Sequence, residues 1–385
     1  MSSTNTNETF DHIASKHRKY WIVVSTISVL LILFIGSMWF QVDNAYQQNR
    51  NQLTSEPEAR ADLLAKVKES TRFKQKNYLE IPTGVYIRSL SFISSNDVNL
   101  NGYIWQTYPN HIKVDKPGVY FPEEVSDSDT TQLLYTKKNG DGFTTYGWHF
   151  EVTVRQSFNY TMYPLDHKTV WLRMLSTDFE GKTLLIPDFK SYASTDIGKV
   201  FGLEKKIVLG NWDIDETFFD YKVNQYETNF GFLENTTFSE PELHFNVVLK
   251  RKFINAFVVH LIPMLTVAAL LFAVFLTLTR HDDKLTINGF SQMGVIGSVS
   301  ALFFVVVISH VDIRTRFPAQ GIVYIEYFYL VMYVLMMAIV SICFLYTKDN
   351  RWYSKYFKED ALLFKLMYWP VSLCVMAIIS YLALL

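Results

Sequence analysis

The chain is nearly without cysteine. Its two thiols, Cys343 and Cys374, both lie in apolar runs, so the polar middle of the sequence has none from which to build a disulfide and must rest on packing alone. Excess charge is lacking too. With 36 Lys and Arg against 37 Asp and Glu the formal net charge is -1, which supplies no global field for nucleic acid or an anionic surface. His-x-x-x-His, paired-cysteine, phosphate-loop and Gly-x-Ser-x-Gly patterns are missing, so metalloenzyme, nucleotidase and hydrolase readings have no anchor. The expectation is a protein that is not an enzyme and has no cofactor, metal or nucleic-acid partner. No repeat at a fixed period and no low-complexity tract occurs, which removes solenoids and long linkers.

Apolar residues are abundant. At 49% hydrophobic, the chain is too apolar for an ordinary soluble protein and too polar to be all membrane. Trp21 to Phe40 is a charge-free stretch of about the 20 residues that a helix needs to cross a bilayer. Lys16, His17, Arg18 and Lys19 precede it, and it ends in Ser37, Met38, Trp39 and Phe40 rather than in a small-x-small cleavage site, which points to a retained signal anchor. Four further spans follow at about 253–279, 286–311, 317–347 and 361–385. By the positive-inside rule, residues 1–20 are expected in the cytoplasm, with 41–252 and the C-terminus outside a plasma (inner) membrane crossed several times.

Residues 41–76 are polar and read as a stalk continuing the first span, with a helix former at Ala59 to Lys68. From residue 77 to 252 the texture changes to short runs of Val, Ile, Tyr, Phe and Thr, punctuated by turns such as Asn139-Gly140-Asp141-Gly142. Trp148, Phe150, Val152 and Val154 alternate with polar residues, as in a strand with one buried face. An extracytoplasmic antiparallel β-sandwich is the expected fold.

Tyr163-Pro164-Leu165-Asp166-His167-Lys168, placed after Phe158-Asn159 and before the strand 169–174, resembles the signature loop of pentameric ligand-gated ion channels, the Cys-loop receptors. The closer likeness is to prokaryotic-type members, which lack the loop cysteines. The order of the other segments is similar: 84–92 and 102–105 as first strands, Tyr120-Phe121-Pro122-Glu123 as the Trp-x-Pro-Asp region, 246–252 as the last strand, and Pro263 in the first bundle span. Leu165, Tyr120 in place of Trp, and the extra N-terminal span depart from the family.

The resemblance implies an all-β immunoglobulin-like domain followed by a four-helix transmembrane bundle. Its function would be a homopentameric ligand- or proton-gated channel whose pore is lined by the second bundle helix. Its partners would be further copies of itself, membrane lipid, a permeant ion and an unknown small ligand or proton. The competing expectation is a non-conducting membrane sensor or assembly subunit on the same fold. By the same likeness Asp97, Asp166 and Arg251 would couple the two domains, charge pairs at such a junction being favourable when hydrogen bonds offset desolvation. The ordinary alternative makes Arg251 an interfacial anchor and Asp97 a turn residue.

With Val311-Asp312 taken as the end of the pore helix, helical spacing sets Ser291, Val295, Ser298, Leu302, Val305 and Ser309 on one face. Hydroxyl rings can replace ion hydration and aliphatic rings can gate by dewetting. The competing explanation is close helix packing at Gly294, Gly297, Ser298 and Ser300. The family's selecting glutamate falls near Ile287, whereas Asp282 and Asp283 lie about one turn away and would favour cations. His260, His310 and Glu326 are ionisable groups in or beside apolar spans and are candidates for proton sensing, against simple structural pairing. For a ligand, 227–241 resembles the capping loop, with Phe179, Tyr226, Phe230 and Phe232 as aromatic candidates. With 30 Phe and 23 Tyr in the chain, most aromatics must be core or lipid-facing.

Overall fold

The computed structural model describes residues 4–44, 51–70, 78–111, 116–125, 130–177, 183–231, 238–279, 291–317, 321–347 and 358–384. The chain divides into two compact units. One holds Met1–Tyr46, Asn159–Asp166 and Phe253–Leu385, the other Gln47–Phe158 and His167–Lys252.

The second unit carries β1 (Leu79–Phe92), β2 (Asp97–Pro109), β3 (Val119–Tyr120), β4 (Gln132–Lys138), β5 (Phe143–Arg155), β6 (His167–Ser176), β7 (Thr183–Pro187), β8 (Trp212–Tyr226) and β9 (Phe238–Arg251). They form a five-stranded sheet in the order β4-β5-β2-β1-β7 and a four-stranded sheet β3-β6-β9-β8, a sandwich-like arrangement. The pairs are antiparallel except β1 with β7. Alternation drives this: Trp148, Phe150, Val152 and Val154 are all buried on β5, opposite β2 in unbroken register from Asp97↔Arg155 to Pro109↔Phe143. The predicted turn at 139–142 joins β4 to β5, with the Asn139 N–H donating to the Phe143 carbonyl at 2.7 Å and Gly142 at φ 86, where a side chain would be strained. Phe121, Phe150, Phe219 and Phe245 fill the core.

Of the stretch expected to be a stalk, residues 41–44 extend the helix of the first span. From Gln47 it belongs to the β unit, where α2 (Glu56–Glu69) packs on β7, β8 and β9. The reason is an apolar stripe at i, i+4, i+8: Ala59, Leu63 and Val67 are buried. That stripe is too narrow to raise mean hydropathy.

The other unit contains α1 (Thr4–Asn44), α3 (Phe253–Leu276), α4 (Gln292–Arg316), α5 (Tyr324–Thr347) and α6 (Lys358–Leu384). All five contain segments long and apolar enough to cross a bilayer, which marks the protein as membrane-embedded. In α3 a π-turn at Phe257–Leu261 precedes Pro263. Proline has no N–H to give the regular ladder, and the wider turn accommodates the gap. Lys365, a charge within α6, is buried but donates to the carbonyls of Leu276 and Leu278 at 3.2 and 2.7 Å, capping the C-terminal end of α3.

Hydropathy located these segments better than it located their ends. The span expected at 286–311 is helical from Gln292 and runs on to Arg316, residues 286–290 lying outside the described part. Asp312, Arg314 and Arg316 end the apolar run without ending the helix, because Asp312 and Arg316 pair one turn apart at 3.0 Å. The next helix starts at Tyr324 rather than near 317.

Candidate functional site

The loop Asn159–Asp166 is built from local bonds. Asn159 Oδ1 accepts from the Thr161 N–H at 2.9 Å, and the N–H groups of Tyr163 and Leu165 donate to the carbonyls of Tyr160 and Met162 at 2.9 and 2.8 Å. The Tyr163–Pro164 peptide is cis. These turns present Tyr160, Tyr163 and Leu165 on one buried side. Tyr160 and Tyr163 set their rings 4.6 and 4.8 Å from Phe317, which closes α4, and Tyr163 lies edge-on to His260 of α3 at 6.1 Å. The Tyr324 N–H, at the start of α5, donates to the Thr161 carbonyl at 2.8 Å. One loop thus touches three helices.

Asp166, at the end of this loop, is buried. The other two coupling candidates lie in the β unit. Asp97 is engaged by Arg155 at 2.7 Å, and the hydrogen bond from that guanidinium holds its carboxyl below the usual carboxylate range. Arg251 ends β9 with its guanidinium 4.0 Å over the Trp212 ring, a cation–π contact.

The residues expected to line a pore fall on differently exposed sides of α4. Ser291 is the N-cap of α4, its hydroxyl accepting from the Gly294 N–H at 3.0 Å. Val295 is buried with Val299, Val306 and Ile313 against the chain's own helices, and Leu302 is half-buried in the same stripe. Ser309 is half-buried, whereas Ser298 and Val305 are exposed. Beside the buried stripe runs an exposed row at helical spacing: Gly294, Ser298, Ala301, Val305, Ile308 and Asp312. Asp282, Asp283 and Ile287 fall outside the described residues.

At the C-terminal end of α4 three of the ionisable groups meet. Glu326 lies in the first turn of α5, where it accepts from the Val323 N–H at 2.8 Å, rather than two turns inside a span. Arg314 donates to it at 3.2 Å and His310 Nε2 stands 3.4 Å away. His310 Nδ1 is 3.1 Å from the Tyr333 hydroxyl, and its ring stacks on Tyr329. These side chains border an open cleft of about 290 Å³ together with Val311, Ile322 and Leu330. His260 is buried in α3, away from this group in sequence but under Tyr163. Arg314 was missed by sequence reading. The signal was available, since a glutamate at the edge of an apolar run requires a cation.

In the β unit, Tyr226 and Phe230 pack edge to face at 5.2 Å, while Phe179 and Phe232 are outside the described residues. Tyr226 donates to Glu242 Oε1 at 2.8 Å, and Glu242 also pairs with Arg173 at 2.6 Å and accepts from Asn224. Burial pushes the Glu242 carboxyl up, but the neighbouring His244, the bond and charge of Arg173 and the bond from Tyr226 outweigh it, and the net direction is down. Burial and the neighbouring carboxylate push the Tyr226 phenol up. Among the described residues no group of three or more His, Cys, Asp or Glu is placed to hold a metal ion.

No protein-family model and no curated protein matches the chain.

Proposed function

We propose that the chain is the subunit of a homopentameric ligand- or proton-gated ion channel, with an immunoglobulin-like sandwich outside the membrane and a pore formed by five copies of α4. The observation that carries this reading is the loop Asn159–Asp166, which is bracketed in sequence by strands β5 and β6 yet packs on α3, α4 and α5. A segment so placed transmits a change in one unit to the helix ends of the other. Gating is then a difference in ligand affinity between open and closed states.

The pore face is the exposed row of α4. Ser298 supplies a hydroxyl ring, and Val305 and Ile308 supply apolar rings that close by dewetting; Asp312, paired with Arg316, ends the row. The remaining exposed face carries Met293 and Phe304, which suit lipid or a neighbouring helix. The Tyr226, Phe230 and Glu242 region is the candidate ligand end, and His310 with Glu326 and Arg314 is the candidate proton-responsive group.

Recordings from purified protein in planar bilayers, over a pH series and an amine and amino-acid panel, test the reading. Cation-selective single-channel currents from particles with five-fold symmetry are expected. Silence throughout, with particles lacking a five-fold ring, overturns it in favour of a non-conducting sensor.

A further inference from the structure

The first span has no role in the reading above, yet its attachment is specific. Between Arg18 and Asn44 most of α1 is exposed and largely apolar, including Leu30, Leu33 and Phe34, as expected of a helix facing lipid. Engagement is concentrated at its C-terminal end, where Ile35 and Met38 are buried and Trp39 lies between Phe253 of α3 and Phe328 of α5, at 5.5 and 6.4 Å. There the Trp39 indole N–H donates to the Tyr324 hydroxyl at 2.7 Å. That hydroxyl also shares a 2.6 Å hydrogen bond with Ser380 of α6, and the Tyr324 N–H holds Thr161 of the junction loop. A single buried tyrosine is therefore bonded to α1, to α6 and to the loop that carries Tyr163 and Asp166.

We propose that α1 is a built-in control helix that sets the position of the loop Asn159–Asp166 through Tyr324, with Trp39 and Tyr324 as positioning residues. Apolar surroundings offer no water to replace the indole–phenol bond, so the two groups stay paired with each other. A slide of α1 by one residue's rise, about 1.5 Å, would stretch that bond past the limit of about 3.2 Å unless Tyr324 followed. Its ring is closely packed, 5.0 Å from Phe328, and cannot absorb the shift by changing rotamer without opening a void. The displacement passes to the Tyr324 backbone and so to Thr161. The link stands on these contacts alone, and only its consequence for gating rests on the channel reading.

Hydrogen exchange of the full chain in phosphatidylcholine nanodiscs tests the link without any current. Trp39→Phe replaces the indole by a smaller phenyl ring, and Tyr324→Phe keeps its ring but also gives up the bond with Ser380; both delete the indole–phenol bond and leave the Tyr324 N–H to Thr161 untouched. Amides of Thr161, Tyr163 and Leu165 should exchange about fivefold faster in both variants, as expected for loss of one hydrogen bond. The double variant should be no faster than either single one, and β2 and β5 should be unchanged. Unaltered loop exchange in Tyr324→Phe, or a further increase in the double variant, overturns the proposal and leaves Trp39 as an anchor of α1. If Trp39→Phe loosens the strands as well, Tyr324→Phe, which removes one oxygen, decides alone. Failure here leaves the conductance test intact, and silence in recordings leaves this test intact.

Discussion

Tyr163 rests its ring 4.8 Å from that of Phe317, so a loop bracketed by two strands is held by the residue that caps the C-terminal end of the candidate pore helix. Tyr160 uses the same ring at 4.6 Å, and Phe317 is itself buried. Removing it leaves two tyrosines facing a cavity. Phe317→Ala should lower the unfolding free energy of the helical unit by about 3 kcal/mol, and Phe317→Tyr should cost far less. Thermal unfolding of the detergent-solubilised protein measures both.

The helix α2 ought to be integral to the β unit. Leu63 is fully buried beneath the helix, and Leu63→Ala should destabilise that unit by about 2–5 kcal/mol. Exposed Leu64→Ala, one residue along, should cost less than about 1 kcal/mol. Denaturant titration of the two variants separates an integral helix from a free stalk, for which both would be neutral.

Glu242 gives the β unit an acid limit. Its carboxyl titrates lower folded than unfolded, so its contribution is complete above the ordinary glutamate value of 4.5 and is lost as pH falls through the depressed folded value. Stability measured between about pH 7 and 3 should fall at the acid end, and Glu242→Gln should flatten that part of the profile. The same substitution leaves the half-buried Arg173 with only Glu123, 3.7 Å away, as a charged partner and should cost about 3 kcal/mol at pH 7.

The register of α4 is open to a direct comparison. In bilayer recordings, Val305→Ser and Ile308→Ser should favour the open state, since each replaces a dewetting ring by hydroxyls. Leu302→Ser should chiefly lower thermal stability, because Leu302 belongs to the packed stripe with Val299 and Val306. A gating shift at Leu302 with none at Val305 or Ile308 would restore the face read from sequence.

Arg314→Met is expected to destabilise the helical unit by about 3 kcal/mol or more, since it leaves Glu326, 3% exposed, without its guanidinium. Adding Glu326→Gln should recover much of the loss. A double-mutant cycle on thermal unfolding gives the coupling between the two.

The sequence alone determined the division of the molecule. Uninterrupted apolar length identifies five helices fit for a bilayer, and two-residue alternation identifies strands such as β5, because both periods follow from backbone geometry and need no knowledge of neighbours. Tertiary structure decided what depends on partners. The three-residue stripe of α2 is invisible to mean hydropathy, and its docking on β7, β8 and β9 exists only once the sheet is formed. The buried side of α4 is set by α3 and α5, so the burial of Val295 and the half-burial of Leu302 could not be counted from Val311 even though the helix was found. Asp97 found Arg155 across a strand pair 58 residues apart, and Trp39 found Tyr324 at a separation of 285. Such pairings are fixed by packing of whole elements, which a one-dimensional pattern does not encode.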